Sequence, residues 1–239
     1  PELSDIDHSD PHCLSLPFYW VRAGDVEERL LDLWDHGWLL GWRDICRSTD
    51  QRTVIASLIP RIAIGHTTPL MFPSAAPPLV AALYANLCSF ALDYTARQKI
   101  GGTHLTYGYL KQLPVLPPAT YKEPALWAPE QSLVQWLLPR VLELTYTAWD
   151  LQPFARDCGY EGPPYRWDPE RRFLLRAELD AAFFHLYGVS RDDAAYILDT
   201  FPIVRKNDEK AHGDYRTRRV ILERYDALAT AARGAPYVT

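Results

Sequence analysis

Basic and hydrogen-bonding side chains are concentrated in the middle third of the sequence. Arginine, lysine, threonine and glutamine are the side chains that most often bind phosphate oxygens and base edges in nucleic acids. Several lie in predicted turns at 47–53, 65–69 and 98–107, from which they could reach a groove. The candidate DNA-binding residues are Arg43, Arg47, Arg52, Thr53, Arg61, Arg97, Gln98, Lys99, Thr103, His104 and Lys111. The alternative is a solvated surface with buried ion pairs, such as Arg52 with Asp50 or Asp44.

The distribution of charge agrees with a local basic surface. Residues 40–111 carry 7 basic and 3 acidic side chains, whereas residues 1–39 carry 2 basic and 9 acidic ones. The whole chain has a formal net charge of −5. A free-standing nucleic-acid-binding domain is usually basic, so any contact with DNA has to be confined to this middle segment.

Other chemistries find little support. His8, His12 and Cys13 lie close together in an acidic segment, but no CxxC or HxxxH pair elsewhere completes a metal site. No GxSxG nucleophile motif and no phosphate-binding glycine loop occurs. We therefore predict no catalytic, cofactor-binding or metal-binding residue in this chain.

One short string looks like a catalytic motif. Gly162-Pro163-Pro164-Tyr165 resembles the (N/D)PP(Y/F/W) signature of methyltransferases that act on a flipped base. That chemistry needs a side-chain oxygen at the first position, to accept a hydrogen bond from the target amino group. Glycine has no side chain, so we interpret the string as a proline-rich linker.

Two further segments could contact DNA. The helices predicted on either side of Gly188 have the spacing of a helix-turn-helix. The second begins Arg191-Asp192-Asp193, which would place carboxylates against phosphates, so a packing corner is favoured. A second basic cluster, at 205–219, is partly offset by acidic neighbours and could instead solvate the last helix.

Length and composition indicate a folded chain. It has 239 residues, of which 48% are hydrophobic and 23% charged, enough for one large or two small domains. Neither a transmembrane helix nor a signal peptide is predicted, and four widely spaced cysteines favour a reducing compartment. We therefore expect a cytoplasmic protein with no membrane partner. Because the chain begins with Pro1 rather than Met, we also expect it to be part of a longer polypeptide.

Hydrophobic patterning predicts an α+β fold. We expect an arm or linker at 1–12, a small domain of mixed or antiparallel strands and helices at 13–120, and a helical region at 121–239. Predicted strands cover 18–21, 38–46, 52–64, 70–72 and 110–116. Predicted helices cover 26–36, 77–100, 133–149 with a kink or break at Pro139, 169–187, 190–201 and 215–230. Gly101-Gly102 is expected to end the second helix.

Several longer strings are similar to one bacterial family. They are Trp38–Ile45 (WLLGWRDI), Thr49–Ala56 (TDQRTVIA), Ala96–Leu105 (ARQKIGGTHL), Leu110–Val115 (LKQLPV), Leu175–Ala181 (LRAELDA) and Ile197–Phe201 (ILDTF). These resemble the C-terminal region of large type II (type IIG-like) restriction–modification adenine DNA methylases. The resemblance covers residues 19–225, most of the chain.

The resemblance implies a function for this region. In that family an N-terminal domain uses S-adenosylmethionine to methylate adenine N6, and the C-terminal part recognises the target sequence. This chain would then bind double-stranded DNA and contact the methyltransferase domain of the same polypeptide, without cofactor or catalysis of its own. The alternative is a helical assembly module that docks the catalytic domain or another subunit. Exposed Trp and Leu side chains at 127–149 would support this alternative.

Overall fold

The structure is a computed structural model that describes residues 3–14, 16 and 19–237, and it combines many helices with small antiparallel sheets. The strands are β1 (Trp38–Trp42), β2 (Ala56–Pro60), β3 (Leu70–Met71), β4 (Pro124–Ala125) and β5 (Ala128–Ser132). The helices are α1 (Asp5–Ser9), α2 (Ala23–Leu30), α3 (Pro77–Leu87), α4 (Phe90–Lys99), α5 (Tyr107–Leu110), α6 (Leu133–Thr145), α7 (Gln152–Asp157), α8 (Pro169–Leu186), α9 (Arg191–Asp199), α10 (Pro202–His212) and α11 (Arg216–Ala231). The predicted α+β class is confirmed.

The larger sheet has three antiparallel strands in the order β2-β1-β3. Every residue of the central strand β1 is buried, because both edges are paired and both faces are covered. A Cβ atom at Gly41 would lie 3.0 Å from the Pro69 carbonyl oxygen, so glycine permits the close approach of the segment before β3. The three strands predicted here are confirmed, although each is shorter than the pattern indicated.

The helix expected over 77–100 is two helices. α3 and α4 are bent by 62° at Cys88-Ser89. Ser89 adopts an extended backbone and its side chain accepts a hydrogen bond from the N–H of Leu92 at 3.3 Å, so it caps a new helix. The predicted glycine cap is wrong, because α4 ends at Lys99 with the extended residue Ile100 as its C-cap. Gly101 and Gly102 are not among the glycines with positive φ.

The strand predicted at 110–116 is wrong. Residues 107–110 form the short helix α5, and the N–H of Leu113 bonds the carbonyl of Leu110 at 3.1 Å in a turn that follows it. Leu105, Leu110 and Leu113 all pack into one small cluster, which this compact path allows. The apolar residues of the segment therefore reflect burial of a turn rather than strand pairing.

Other boundaries also differ from expectation. The β4–β5 hairpin was not predicted, and Pro139 does not break α6, which continues to Thr145. α2 begins three residues earlier than predicted and ends at Leu30. Within the predicted strand 18–21, Phe18 lies outside the described residues and the other three residues form no strand.

The C-terminal helices follow the capping signals closely. The Asp168 carboxylate accepts the N–H of Arg171 at 3.0 Å at the start of α8, and Gly188 follows its end with φ +65°. The Ser190 hydroxyl caps α9 in the same way. α10 was not predicted, since its sequence is mostly charged, and it ends at Gly213 with φ +80°.

The hydrophobic core crosses the predicted domain boundary. The main cluster of buried residues extends from Leu30 to Ala231, and a smaller cluster lies between Trp42 and Leu113. The division at 120 therefore stays a prediction. Part of the expected arm lies against the helical region, where His8 stacks on Trp167 with ring centroids 3.9 Å apart. Among the described residues, no single helix has the length and hydropathy of a membrane span.

Candidate nucleic-acid interface

Two exposed loops of the predicted recognition region are joined by backbone hydrogen bonds. The N–H of Cys46 donates to the carbonyl of Thr103 at 3.0 Å, and the N–H of Leu105 donates to that of Asp44 at 2.7 Å. The indole N–H of Trp42 also donates to the Leu105 carbonyl at 2.7 Å. Residues 43–50 and 98–112, which these bonds hold together, are called the loop face below.

The loop face carries an excess of positive charge. Its four basic side chains, Arg43, Arg47, Lys99 and Lys111, are exposed and outnumber the carboxylates of Asp44 and Asp50. Arg43 approaches Asp50 at 3.4 Å, and the Lys99 ammonium approaches the Gln112 amide oxygen at 3.5 Å. The side chains of Arg47 and Lys111 contact no partner among the residues that the structure describes. Two cations are thus available to an external anion.

Neutral polar groups surround these cations. Gln98, in the last turn of α4, and Thr103, in the loop that follows, are exposed, and His104 is 57% exposed. His104 Nδ1 lies 2.7 Å from a carboxylate oxygen of Asp44, a contact that fixes the imidazole ring against the neighbouring loop. Seven of the eleven predicted residues therefore lie at this surface. They are Arg43, Arg47, Gln98, Lys99, Thr103, His104 and Lys111.

The sequence did not predict that Gly101 and Gly102 would expose their backbone at the tip of a loop. A Cβ atom at Gly101 or Gly102 would meet nothing within 4 Å, so neither glycine is required by internal packing. Their N–H groups make no hydrogen bond within the described ranges 3–14, 16 and 19–237. Exposed backbone N–H groups are common donors to DNA phosphates. The double glycine was the available signal, and it was assigned to helix capping instead.

The other predicted residues lie beneath this surface. Arg52 Nε is 2.9 Å from an oxygen of Asp93, and its guanidinium lies 4.0 Å above the Phe90 ring. Thr53 is fully buried, and its N–H donates to the Asp93 carboxylate at 3.0 Å. Neither side chain is free to read a base. Arg52 therefore forms a buried ion pair, as the alternative to DNA binding predicted, but its partner is Asp93 rather than Asp50 or Asp44.

Arg97 and Arg61 are also engaged inside the fold. The Arg97 side chain is 7% exposed, lies 3.9 Å above the Phe201 ring and donates to the backbone carbonyls of Asp50 and Gln51. Burial lowers the pKa of its guanidinium. Arg61 Nε contacts both carboxylate oxygens of Glu27 at 3.0 Å and so joins the end of β2 to α2. We therefore leave both arginines out of the proposed interface.

The second basic cluster is largely neutralised. Arg205 pairs with Glu209 at 2.7 Å, Arg218 with Asp199 at 3.2 Å, and Arg219 with Asp214 at 2.8 Å. α9 begins with the carboxylates of Asp192 and Asp193 in its first turn. These contacts neutralise most of the cluster, although Lys206 and Lys210 stay exposed without a partner among the described residues. The 205–219 segment and the corner at Gly188 are therefore weaker candidates for phosphate contact than the loop face.

The Gly162–Tyr165 string is a loop between α7 and α8, as interpreted, in which Tyr165 stacks on Tyr160 with ring centroids 5.0 Å apart. Within the described part of the chain, no three His, Cys, Asp or Glu side chains come together as metal ligands.

Comparison with known protein families, with characterised proteins and with solved structures finds no match to this chain. The resemblance to restriction–modification methylases therefore stays an expectation from the sequence. The function is argued from the loop face itself.

Proposed function

We propose that this chain binds double-stranded DNA through the loop face, as the target-recognition part of a restriction–modification adenine methylase. The observation that carries the proposal is the pair of unpartnered cations, Arg47 and Lys111, on the surface that also presents the free N–H groups of Gly101 and Gly102. An exposed cation without a carboxylate partner is available to displace counterions from a phosphate backbone.

The remaining groups of the loop face suit base recognition. The Arg43 guanidinium can donate two hydrogen bonds to guanine, and the Gln98 amide can both donate to and accept from adenine. Both side chains are exposed. Specificity would come from these contacts, whereas affinity would come from Arg47, Lys99 and Lys111 on phosphates.

The acidic remainder of the chain limits nonspecific binding. Because the molecule carries a net charge of −5, its average field disfavours the approach of DNA away from the loop face. Methyl transfer and base flipping are assigned to a methyltransferase domain of the same polypeptide, with S-adenosylmethionine as methyl donor. This chain would recognise the target sequence and would contribute no reacting group.

The experiment is a salt titration of binding to a fluorescent 30-base-pair duplex of random sequence, followed by anisotropy. We expect binding at low salt that weakens as salt rises, and Arg47→Ala or Lys111→Ala should reduce the salt slope by about one unit each. Lys206→Ala and Lys210→Ala on α10 are matched controls, because these lysines are also exposed and without a partner in the described structure. Absence of binding at low salt, or equal effects of all four variants, would refute the proposal.

A second candidate function is the assembly module. The Trp127 and Trp136 side chains, expected to be exposed in this case, are buried. Large apolar side chains are instead exposed near the N-terminus, with Trp20 74% and Leu31 73% exposed. Loss of binding to a separately expressed methyltransferase domain in Trp20→Ser or Leu31→Ser, with DNA binding retained, would favour this function.

A further inference from the structure

A cleft of about 580 Å³ lies along α8, between the α3–α4 junction and the α10–α11 pair. Its volume is in the range of small-molecule binding sites, roughly 300–1,000 Å³. The walls are mostly apolar, and the large side chains that form them are Tyr84, Phe90, Phe173, Val204 and Ile221. The loop face does not form this cleft, so its occupant is a question separate from DNA binding.

Two arginines from successive turns of α8 line the cleft without carboxylate partners. Nε and Nη1 of Arg172 are buried and have no hydrogen-bond acceptor, although the guanidinium lies 3.7 Å above the Trp167 ring. Arg176 is exposed and forms no ion pair with any residue that the structure describes. Buried donors in proteins are nearly always hydrogen-bonded, so Arg172 has unused hydrogen-bonding capacity at the wall of the cleft.

The two carboxylates of the cleft each accept a backbone N–H, and Asp180 also attracts Arg176 electrostatically without forming an ion pair. Asp180 accepts the backbone N–H of Phe90 at 2.7 Å, and Asp208 accepts that of Thr217 at 2.5 Å. The remaining cation, Arg52, is paired with Asp93 outside the cleft. Burial, with a smaller contribution from the positive charge of Arg176, lowers the pKa of Arg172 to about 10. Two like charges in a partly buried space attract an anion.

A smaller cavity adjoins the same arginine. It has a volume of about 210 Å³ and shares Tyr84, Leu144 and Arg172 with the main cleft. Its other lining residues include Ser57, Thr145 and Thr147. The hydroxyls of Ser57 and Thr145 already donate to backbone carbonyls, whereas the Thr147 hydroxyl forms no bond with the described residues and can donate to an anion. Arg172 thus lies where a polar compartment meets an apolar one.

We propose that this cleft binds a small organic anion, whose phosphate or carboxylate group contacts Arg172 and Arg176 and whose apolar body packs against Phe173 and Ile221. The charge-assisted hydrogen bonds would supply orientation, and burial of the apolar body would supply most of the affinity. No covalent step is involved.

The test is calorimetric titration with four probes: phenyl phosphate, benzoate, inorganic phosphate and phenol. Phenyl phosphate or benzoate should bind at least tenfold more tightly than phenol, which lacks the charge, and than inorganic phosphate, which lacks the ring. Equal binding of phenyl phosphate and inorganic phosphate would show a simple phosphate site and overturn the proposal. No binding of any probe at millimolar concentration would overturn it as well.

Variants locate the site. Arg172→Gln should weaken phenyl phosphate or benzoate binding about tenfold, the effect of losing a hydrogen bond to a charged group. Arg171→Gln is the matched control, because Arg171 lies on the same helix, pairs with Glu143 at 2.9 Å and does not line the cleft. Equal binding by wild type and Arg172→Gln would refute the assignment.

A second measurement needs no variant. Cys88 lines the cleft and Cys13 does not, and both residues are partly exposed. Burial raises the pKa of the Cys88 thiol to about 11, so its alkylation is slow and is followed as a time course. A bound ligand should slow alkylation of Cys88 by iodoacetamide, read by peptide mass spectrometry, and leave Cys13 unchanged. Unaltered alkylation of Cys88 at a saturating concentration would place the ligand elsewhere and overturn the proposal.

Discussion

Arg52 and Asp93 form an ion pair beneath the surface that the sequence suggested for DNA binding. Arg52 Nε lies 2.9 Å from an Asp93 carboxylate oxygen, and Asp93 is fully buried. The same carboxylate accepts the N–H groups of Thr53 and Val54 at 3.0 and 3.3 Å. It therefore attaches the turn before β2 to α4, which is the scaffold on which the loop face rests.

Replacement of Asp93 by Asn should destabilise the fold strongly. The substitution removes the negative charge that compensates Arg52 and Arg97, and breaking a buried pair by removing one partner costs about 3–5 kcal/mol. Urea denaturation should show this loss. Asp25→Asn breaks an exposed pair with Arg22 and should have a much smaller effect. Similar midpoints for the two variants would show that Asp93 does not support the turn.

Variants of Arg97 and Lys99 should have opposite effects on the stability of the fold and on DNA binding. Arg97→Ala removes a buried guanidinium from Asp93 and from the Phe201 ring, so the free energy of unfolding should fall by roughly 3 kcal/mol. DNA affinity per folded molecule should not change. Lys99→Ala should show the reverse, with an unaltered melting temperature and weaker binding. Weaker DNA binding by Arg97→Ala at full stability would instead place Arg97 at the DNA.

Asn86 should be a sensitive position in the core. It is fully buried, its amide nitrogen donates to the Tyr187 hydroxyl at 2.8 Å, and its oxygen accepts the N–H of Leu116 at 3.0 Å and the hydroxyl of Tyr121 at 3.2 Å. Asn86→Leu leaves these groups unpaired and should cost roughly 3 kcal/mol. Thermal unfolding measures this, with the exposed Gln98→Leu as control. Equal melting temperatures for the two variants would contradict the prediction.

Asp180 should make the protein less stable as pH rises from 4 to 6. Burial raises the pKa of its carboxyl to about 6, although Arg52 and the N–H of Phe90 oppose the shift, as does Arg176, while Asp93 adds to it. Over this range the folded state holds a proton that the unfolded chain has released, so its contribution to stability is present below pH 4 and lost above pH 6.

The test of this pH dependence is a comparison of unfolding free energies of wild type and Asp180→Asn from pH 4 to 7. Asparagine keeps an acceptor for the Phe90 N–H but does not titrate. The stability of the variant relative to wild type should therefore rise with pH, by at most about 1.4 kcal/mol per pH unit. A difference that is constant with pH would contradict a raised pKa.

Local signals predicted the elements that they control directly. Asp168-Pro169 and Ser190 mark the starts of α8 and α9, because side-chain oxygens satisfy the first backbone N–H groups of a helix wherever the helix lies. The polar turn at 47–51 likewise joins β1 and β2 as expected. The strand predicted at 110–116 is wrong because a short apolar segment, here with Leu110, Leu113 and Leu116, can be buried in a turn as well as in a strand.

The sequence alone determined the α+β class, the central β-hairpin and the accumulation of basic residues in the middle third. Only the tertiary structure decided which of these cations face solvent. Arg52 lies under the surface because Asp93, on α4 and 41 positions away along the chain, is buried beside it. Arg97 lies on the same helix four positions after Asp93, and it is buried because it packs over the ring of Phe201 at the start of α10. Both outcomes depend on contacts between distant parts of the chain, which spacing along the sequence does not specify, whereas capping depends on residues three positions apart and can be read directly.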